Sequence, residues 1–135
     1  MNEIELSPAF LIGHKVIDDE HRELVKVLNN MARGYVLKDI DFCRQNWHLF
    51  CNLLQQHFTH EEKIMSDMGY VKEEHHDSHQ SILTNTQDAG RQCKTLEDWG
   101  KCLLELRDEI LSQILRHDLK FSEYLITIGV NQARP

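Results

Sequence analysis

The sequence predicts an all-α fold: an antiparallel up-down-up-down four-helix bundle with an irregular N-terminal arm. Three observations support this prediction. Only six glycines and two prolines occur among 135 residues, about half the usual share, which disfavours a fold with many tight turns. Apolar residues recur every three or four positions through four long stretches. The connections between these stretches are short, and short loops place consecutive helices side by side.

The chain begins with a predicted irregular arm over residues 1–16, which contains Pro8 and Gly13. The first helix is predicted over about 17–37, because apolar residues from Ile17 onwards recur at helical spacing. Arm and helices together are predicted to form a single domain.

The second helix is predicted over about 40–68, where a long periodic stretch stops just before Gly69. The third is predicted over about 71–92, although Gly90 weakens its last turn.

The fourth helix is predicted over about 95–128. Thr95 followed three residues later by Asp98 has the pattern of a capped helix start. Apolar residues then continue at helical spacing as far as Leu125. The domain, with this helix as its last element, is predicted to span residues 1–135.

The charge balance excludes several classes of partner. Fifteen basic residues stand against 22 acidic ones, and the net charge is −7. There is no basic stripe to bind nucleic acid, and an anionic membrane surface would repel the chain. No apolar run reaches the roughly 18 residues of a membrane span, and no secretory signal is visible. A cytoplasmic location without membrane insertion is predicted.

The cysteines do not form a recognisable framework. None of the four is paired as C-x-x-C, so a zinc ribbon or a secreted disulfide scaffold is disfavoured. They are predicted to be small buried residues. The four are Cys43, Cys51, Cys93 and Cys102.

The nine histidines carry the functional signal. His57 and Glu61 are four residues apart, which places them about 40° from each other around an α-helix. His75 and His79 repeat this spacing on the next helix, and His21 lies close to the apolar stripe of the first. Burying these groups without a partner is costly, and a bound cation removes that cost. A metal site is therefore predicted inside the bundle.

The last helix completes the set. It offers Asp118 beside His117, with Gln113 five residues earlier. A mixture of imidazoles and carboxylates without thiolates favours iron or manganese over structural zinc. Because carboxylates from two helices can each bridge two ions, a dinuclear centre is predicted in the bundle core. Other histidines, predicted to lie at the surface, are His14, His48, His60 and His76, and Glu62 is predicted to face away from the metals.

Three segments resemble the bacterial hemerythrin domain, and the resemblance covers about residues 10–127. The segments read Ile17-Asp18-x-Glu20-His21-x-x-Leu24, His57-Phe58-x-x-Glu61-Glu62-x-x-Met65-x-x-x-Gly69-Tyr70 and His75-x-x-x-His79. The resemblance implies two iron ions. One would be bound by His21 and His57 and the other by His75 and His79, with Glu61 as a bridge.

The fourth segment departs from the family pattern His-Ile-x-x-x-Asp-x-x-(Tyr or Phe). Placing the His on His117 leaves the Asp unmatched, whereas placing it on Gln113 gives Gln113-Ile114-x-x-x-Asp118-x-x-Phe121. The second register is preferred. Asp118 is then the other bridge, Gln113 replaces the last terminal histidine, and His117 remains an alternative ligand.

The resemblance further implies reversible O2 binding by two irons (Fe2+/Fe3+) joined by an oxo or hydroxo bridge, with O2 as the exogenous ligand. The side chains expected around O2 are Leu24, Phe58, Ile82, Ile110 and Ile114. A family tryptophan is replaced by Glu109. Since an amide is a weak neutral ligand, Gln113 should leave the second iron with an open or water-filled position. Fast oxidation in air is predicted.

Three functions remain open from the sequence. The preferred one is an oxygen or redox sensor input that is not itself an enzyme and acts on a signalling output domain or partner, as family members do. The second is storage or delivery of O2 or iron. The third is a di-iron enzyme acting on peroxide or nitric oxide.

Overall fold

The computed structural model describes residues 8–70 and 72–129, and all regular structure within these ranges is helical. The elements are a 3-10 turn at Pro8–Phe10, α1 (Lys15–Val36), α2 (Ile40–Asp67), α3 (Glu73–Arg91), α4 (Leu96–Gln113), a π-helical segment (Ile114–Asp118) and α5 (Leu119–Thr127). The predicted all-α class and helical bundle are confirmed. The antiparallel order and the single-domain boundary stay predictions, and residues 1–7 of the predicted arm lie outside the described ranges.

The helices close into a bundle. α1 packs against α2 and α4, and α3 packs against α2 and α4. The predicted capping of the fourth helix is confirmed, because the Thr95 side chain accepts a hydrogen bond from the Asp98 N–H while the Asp98 carboxylate accepts one from the Thr95 N–H. No described helix is long and apolar enough to cross a lipid bilayer.

Two apolar clusters fill the interior. The larger is built around Leu28, Phe50, Leu54, Trp99 and Leu106. The smaller consists of Ile12, Ile17, Met65, Phe121 and Leu125, all buried. Several members of the smaller cluster follow or precede a predicted metal ligand by one helical turn on the same helix. The predicted metal site therefore lies between two apolar layers.

The fourth predicted helix is present over Leu96–Thr127, but it contains a π-helical turn that the sequence did not predict. After α4 ends, Ile114–Asp118 is π-helical, and the Leu119 N–H donates to the Ile114 carbonyl five residues earlier. A π-helical turn holds one more residue than an α-helical turn, so it shifts the faces of the helix that follows. The remaining boundaries agree with the predicted ones to within two residues, α1 for example beginning at Lys15 instead of Ile17.

Gly90 has a packing role that periodicity does not reveal. A Cβ atom built on it would lie 1.9 Å from Cε2 of the Trp47 ring. The same indole donates from Nε1 to the Thr86 carbonyl at 2.9 Å. Gly90 and Thr86 belong to α3 and Trp47 to α2, so the close approach of these two helices depends on the glycine.

Candidate metal centre

Six predicted ligands converge in the interior, and all six side chains are buried. They form two groups whose ligand atoms lie within 4.8 Å of one another: His21, His57, Glu61 and Asp118, and Glu61, His75, His79 and Asp118. Both groups contain the same two carboxylates. Helices α1, α2 and α3 and the π-helical segment each contribute at least one of these side chains.

The two oxygens of Glu61 face different histidine pairs. Oε2 lies 3.0 Å from Nε2 of His57 and 3.7 Å from Nε2 of His21. Oε1 lies 2.9 Å from Nε2 of His75 and 3.2 Å from Nε2 of His79. One carboxylate thus reaches both halves of the cluster.

Asp118 divides its oxygens in the same way. Oδ2 lies 2.9 Å from Nε2 of His21, and Oδ1 lies 3.4 Å from Nε2 of His75. The arrangement therefore has two halves, each with two imidazoles and one oxygen from each of two acids. This is the donor set of two adjacent cation positions that share both carboxylates.

The donor atoms fit bound cations. Among the described residues, Glu61 Oε2, Asp118 Oδ2 and His79 Nε2 are buried, and although other side chains of the cluster lie close, none has the geometry of a hydrogen bond to these atoms. Buried polar atoms are rarely left in this state, because the lost contact with water is not compensated. A cation at each position would accept their lone pairs, so the cluster is able to hold metal.

Without a cation, protons balance the buried carboxylates. Burial opposes a charge on His57, but the Glu61 and Glu20 carboxylates outweigh it and raise the pKa of this imidazole to about 10. Burial likewise opposes a charge on His75, and Asp118 and Glu61 raise its pKa to about 9. Burial also opposes the charge of Glu61, but His57, His21 and His75 hold the pKa of this carboxyl well below its usual range.

Gln113 lies at the edge of the cluster. Its Nε2 is 3.4 Å from Nε2 of His75 and 3.5 Å from Oδ1 of Asp118. Its Oε1 accepts a hydrogen bond from the Ser78 hydroxyl at 3.0 Å. The side chain is buried, so a neutral amide lies against the second group of candidate ligands.

His117 lies outside both groups. Its ring is half-buried and meets the ring of His75 edge-on, with 5.3 Å between the centroids. Burial, reinforced by the neighbouring His75, lowers the pKa of His117. The alternative of His117 as a ligand therefore has less geometric support than the register that uses Gln113 and Asp118.

The comparisons with known proteins agree with this geometry. Residues 13–125 match the family described as Hemerythrin HHE cation binding domain. The chain belongs to the hemerythrin family. A search of curated proteins found no match. The hemerythrin assignment extends over most of the chain, from the start of α1 almost to the end of α5.

The predicted O2 pocket of this hemerythrin domain is only partly closed. Leu24, Phe58, Ile110 and Ile114 are buried, and the Phe58 ring stacks on His79 with centroids 3.8 Å apart. Ile82 is half-buried. Ile82 lines a cleft of about 380 Å³ that lies between α3 on one side and α4 with the π-helical segment on the other. The other lining residues are Ser78, Asp108, Glu109, Ser112, Gln113, Arg116 and His117.

The remaining predicted residues lie mostly where expected. His48, His60 and His76 are exposed, whereas His14, predicted at the surface, is half-buried. Of the cysteines, Cys43, Cys51 and Cys102 are buried and Cys93 is half-buried. All four carry free thiols.

Sequence reasoning missed two acids that stand behind the histidine ligands. Glu20 accepts from His57, and Glu62 lies next to His79. Glu62 was predicted only to face away from the metals. Glu20 directly precedes His21 in the sequence, and Glu62 directly follows Glu61. This adjacency does not indicate the contacts, because the histidine that each acid meets lies on a different helix.

Proposed function

We propose that this domain binds two iron ions as a non-heme di-iron centre. His21 and His57 would hold one ion, and His75 and His79 the other. Glu61 and Asp118 would lie between them. The observation that carries the proposal is the division of both carboxylates, each of which directs one oxygen to each histidine pair.

The bound ions would supply reversible one-electron chemistry towards O2. The protein would supply the surroundings. Apolar layers on both sides of the centre exclude water, which is the condition for clean reversal of O2 binding. Phe58 covers His79 on the side of α2, and Leu24, Ile110 and Ile114 close the interior further.

Gln113 distinguishes the two positions. A neutral amide is a weaker ligand than an imidazole, and the Ser78 hydroxyl already bonds its oxygen. The second ion would therefore have a position open to water or a small ligand, next to the polar cleft that Gln113 lines. We infer that the centre oxidises quickly in air.

Rapid oxidation suits an oxygen or redox sensor better than a carrier. The ligands come from three helices and the π-helical segment, so a change in the charge of the ions bears on the packing of every one of them. In this proposal the domain is not an enzyme by itself. It acts from the cytoplasm on a signalling output domain or partner.

A di-iron enzyme acting on peroxide or nitric oxide is the second candidate. The cleft beside Gln113 favours it, because a polar opening admits small reactants that a closed apolar pocket would exclude.

The test is anaerobic reduction of the iron-loaded protein followed by exposure to air, monitored by optical absorption. The sensor proposal expects an O2-dependent spectrum that decays quickly to that of the diferric protein. A stable spectrum that reverses on removal of O2 would favour a carrier. Turnover of peroxide or nitric oxide above that of free iron would favour the enzyme.

A further inference from the structure

Two chains of side chains, each of the form His–Glu–His, connect the surface with the metal centre. In the first, Oε1 of Glu20 lies 3.0 Å from Nδ1 of His57, and Oε2 of Glu20 lies 2.6 Å from Nδ1 of His60. His57 is buried, whereas about half of the His60 side chain is exposed. Glu20 thus connects α1 with two histidines of α2 that are three residues apart.

The second chain lies on the other side of the centre. Oε1 of Glu62 contacts Nδ1 of the exposed His76, and Oε2 of Glu62 lies 3.4 Å from Nδ1 of the fully buried His79. Here the acid belongs to α2 and both histidines belong to α3. Each half of the centre therefore has one histidine whose outer nitrogen faces a carboxylate.

The chemistry of imidazole gives these contacts a direction. When Nδ1 carries the proton and donates it to an acid, Nε2 has a free lone pair. Nε2 is the atom that His57 and His79 turn towards Glu61, at 3.0 Å and 3.2 Å. A carboxylate behind the ring also makes Nε2 more basic and fixes the orientation of the ring.

We propose that Glu20 and Glu62 are positioning residues for the two cation sites, Glu20 through His57 and Glu62 through His79. This inference rests on the proposed function, since it presumes that these histidines bind cations. The exposed His60 and His76 hold the second oxygen of each acid. Neither acid belongs to the two groups of candidate ligands, and each meets them only at the outer nitrogen of its histidine.

The two halves are not equal. The bond from His57 to Glu20 has hydrogen-bond geometry, whereas Nδ1 of His79 forms no hydrogen bond among the described residues and lies 3.4 Å from Glu62. We therefore expect Glu20 to contribute more to cation affinity than Glu62.

The experiment is an anaerobic Fe(II) titration of the full chain against a competing chromogenic chelator. Glu20→Ala should weaken one of two bound cations by about 10- to 100-fold and leave the other nearly unchanged. Glu20→Gln keeps an acceptor and should lie between wild type and Glu20→Ala. Glu62→Ala should weaken the other cation by a smaller factor.

Matched controls remove an acid nearby without touching a histidine. Asp19→Ala removes the acid next to Glu20 in the sequence. The partners of Asp19 are the exposed Lys15 and Arg22. Asp67→Ala alters an acid of α2 that pairs with Lys63. Both control variants should bind iron like wild type. If the control variants lost as much iron affinity as Glu20→Ala, the effect would come from the net charge of the chain and not from the contact with His57. That result would overturn the proposal.

A second measurement separates positioning from simple structural damage. In Zn(II)-loaded, 15N-labelled protein, the ring nitrogens of His57 should show protonated Nδ1 and metal-bound Nε2. Glu20→Ala should broaden or shift the Nδ1–H signal while circular dichroism remains that of wild type. An unchanged His57 signal together with unchanged affinity would overturn the proposal. Failure of the wild-type chain to bind cations would instead refute the proposed function.

Discussion

The Nε2 atom of Gln113 lies 3.5 Å from Oδ1 of Asp118, although five residues of a regular α-helix would separate their directions by about 140°. The π-helical segment that starts at Ile114 removes much of this difference, because a π-helical turn holds an additional residue. Both side chains consequently lie on the inner face. The Gln113 amide and the Asp118 carboxylate therefore lie at the same edge of the candidate metal centre.

Gln113→His is expected to slow oxidation of the diferrous protein in air by about fivefold or more, which corresponds to roughly 1 kcal/mol in the barrier. An imidazole at this buried position would bind the second ion more strongly than the amide does and occupy the position left open. Stopped-flow absorption after mixing with air-saturated buffer measures the rate. Gln80→His, at an exposed position of α3, is the control. Equal rates in wild type and Gln113→His would contradict the role given to the amide.

Asp118→Asn is expected to weaken binding of both cations, because one anionic donor is lost from each position at once. The affinity for the cation at His75 and His79 should fall by about 10-fold or more. Isothermal titration with Fe(II) under argon measures the two affinities. Asp108→Asn, an exposed acid of α4, should bind like wild type. Loss of only one site with the other unchanged would show that Asp118 does not bridge.

The metal-free domain is expected to be most stable between about pH 4.5 and 6.5. The folded pKa values of His57 and His75 are raised to about 10 and 9, so their contribution is complete below their ordinary value of 6.5 and is lost as the pH rises towards those values. The depressed pKa of Glu61 gives a contribution that is present above 4.5 and lost in stronger acid.

Urea unfolding of chelator-treated protein across this range measures the profile. Glu61→Gln removes a carboxylate that raises both histidine pKa values, so its alkaline limb should be flatter. A midpoint that stays constant from pH 6 to pH 9 in the wild-type chain would contradict the charge balance described for the cluster.

Gly90→Ala is expected to destabilise the domain by about 1–3 kcal/mol, since the added methyl group would overlap the Trp47 ring. Helix propensity alone predicts the opposite sign, a gain of up to about 1 kcal/mol. The free energy of unfolding in urea distinguishes the two. Ser81→Ala, at an exposed position of α3, supplies the propensity effect without the clash.

Much of the fold was predictable because four stretches have apolar residues at helical spacing, and four such helices bury their apolar faces by packing against one another as a bundle. The start of the fourth helix at Thr95 was predictable as well, since its side chain accepts a hydrogen bond from an N–H group of the first helical turn. The π-helical segment was not readable. The apolar spacing of this stretch is the same as in the rest of the fourth helix, and no local propensity indicates the additional residue in the turn.

The convergence of His57, Glu61, His75 and His79 was predictable because i, i+4 spacing fixes a shared face. The contacts of Glu20 and Glu62 were not, because they cross between helices and depend on the rotation of one helix against the next. The cleft beside Ile82 was also not predictable, since the partial exposure of this side chain depends on the polar residues of α4 that line the same cleft.

The stoichiometry of bound iron tests most directly whether Glu61 and Asp118 serve two cations at once. Protein loaded with Fe(II) under argon and freed of excess metal should contain two irons per chain, and their Mössbauer spectrum after oxidation should show antiferromagnetic coupling through shared ligands. One iron per chain, or two irons without magnetic coupling, would contradict this shared role.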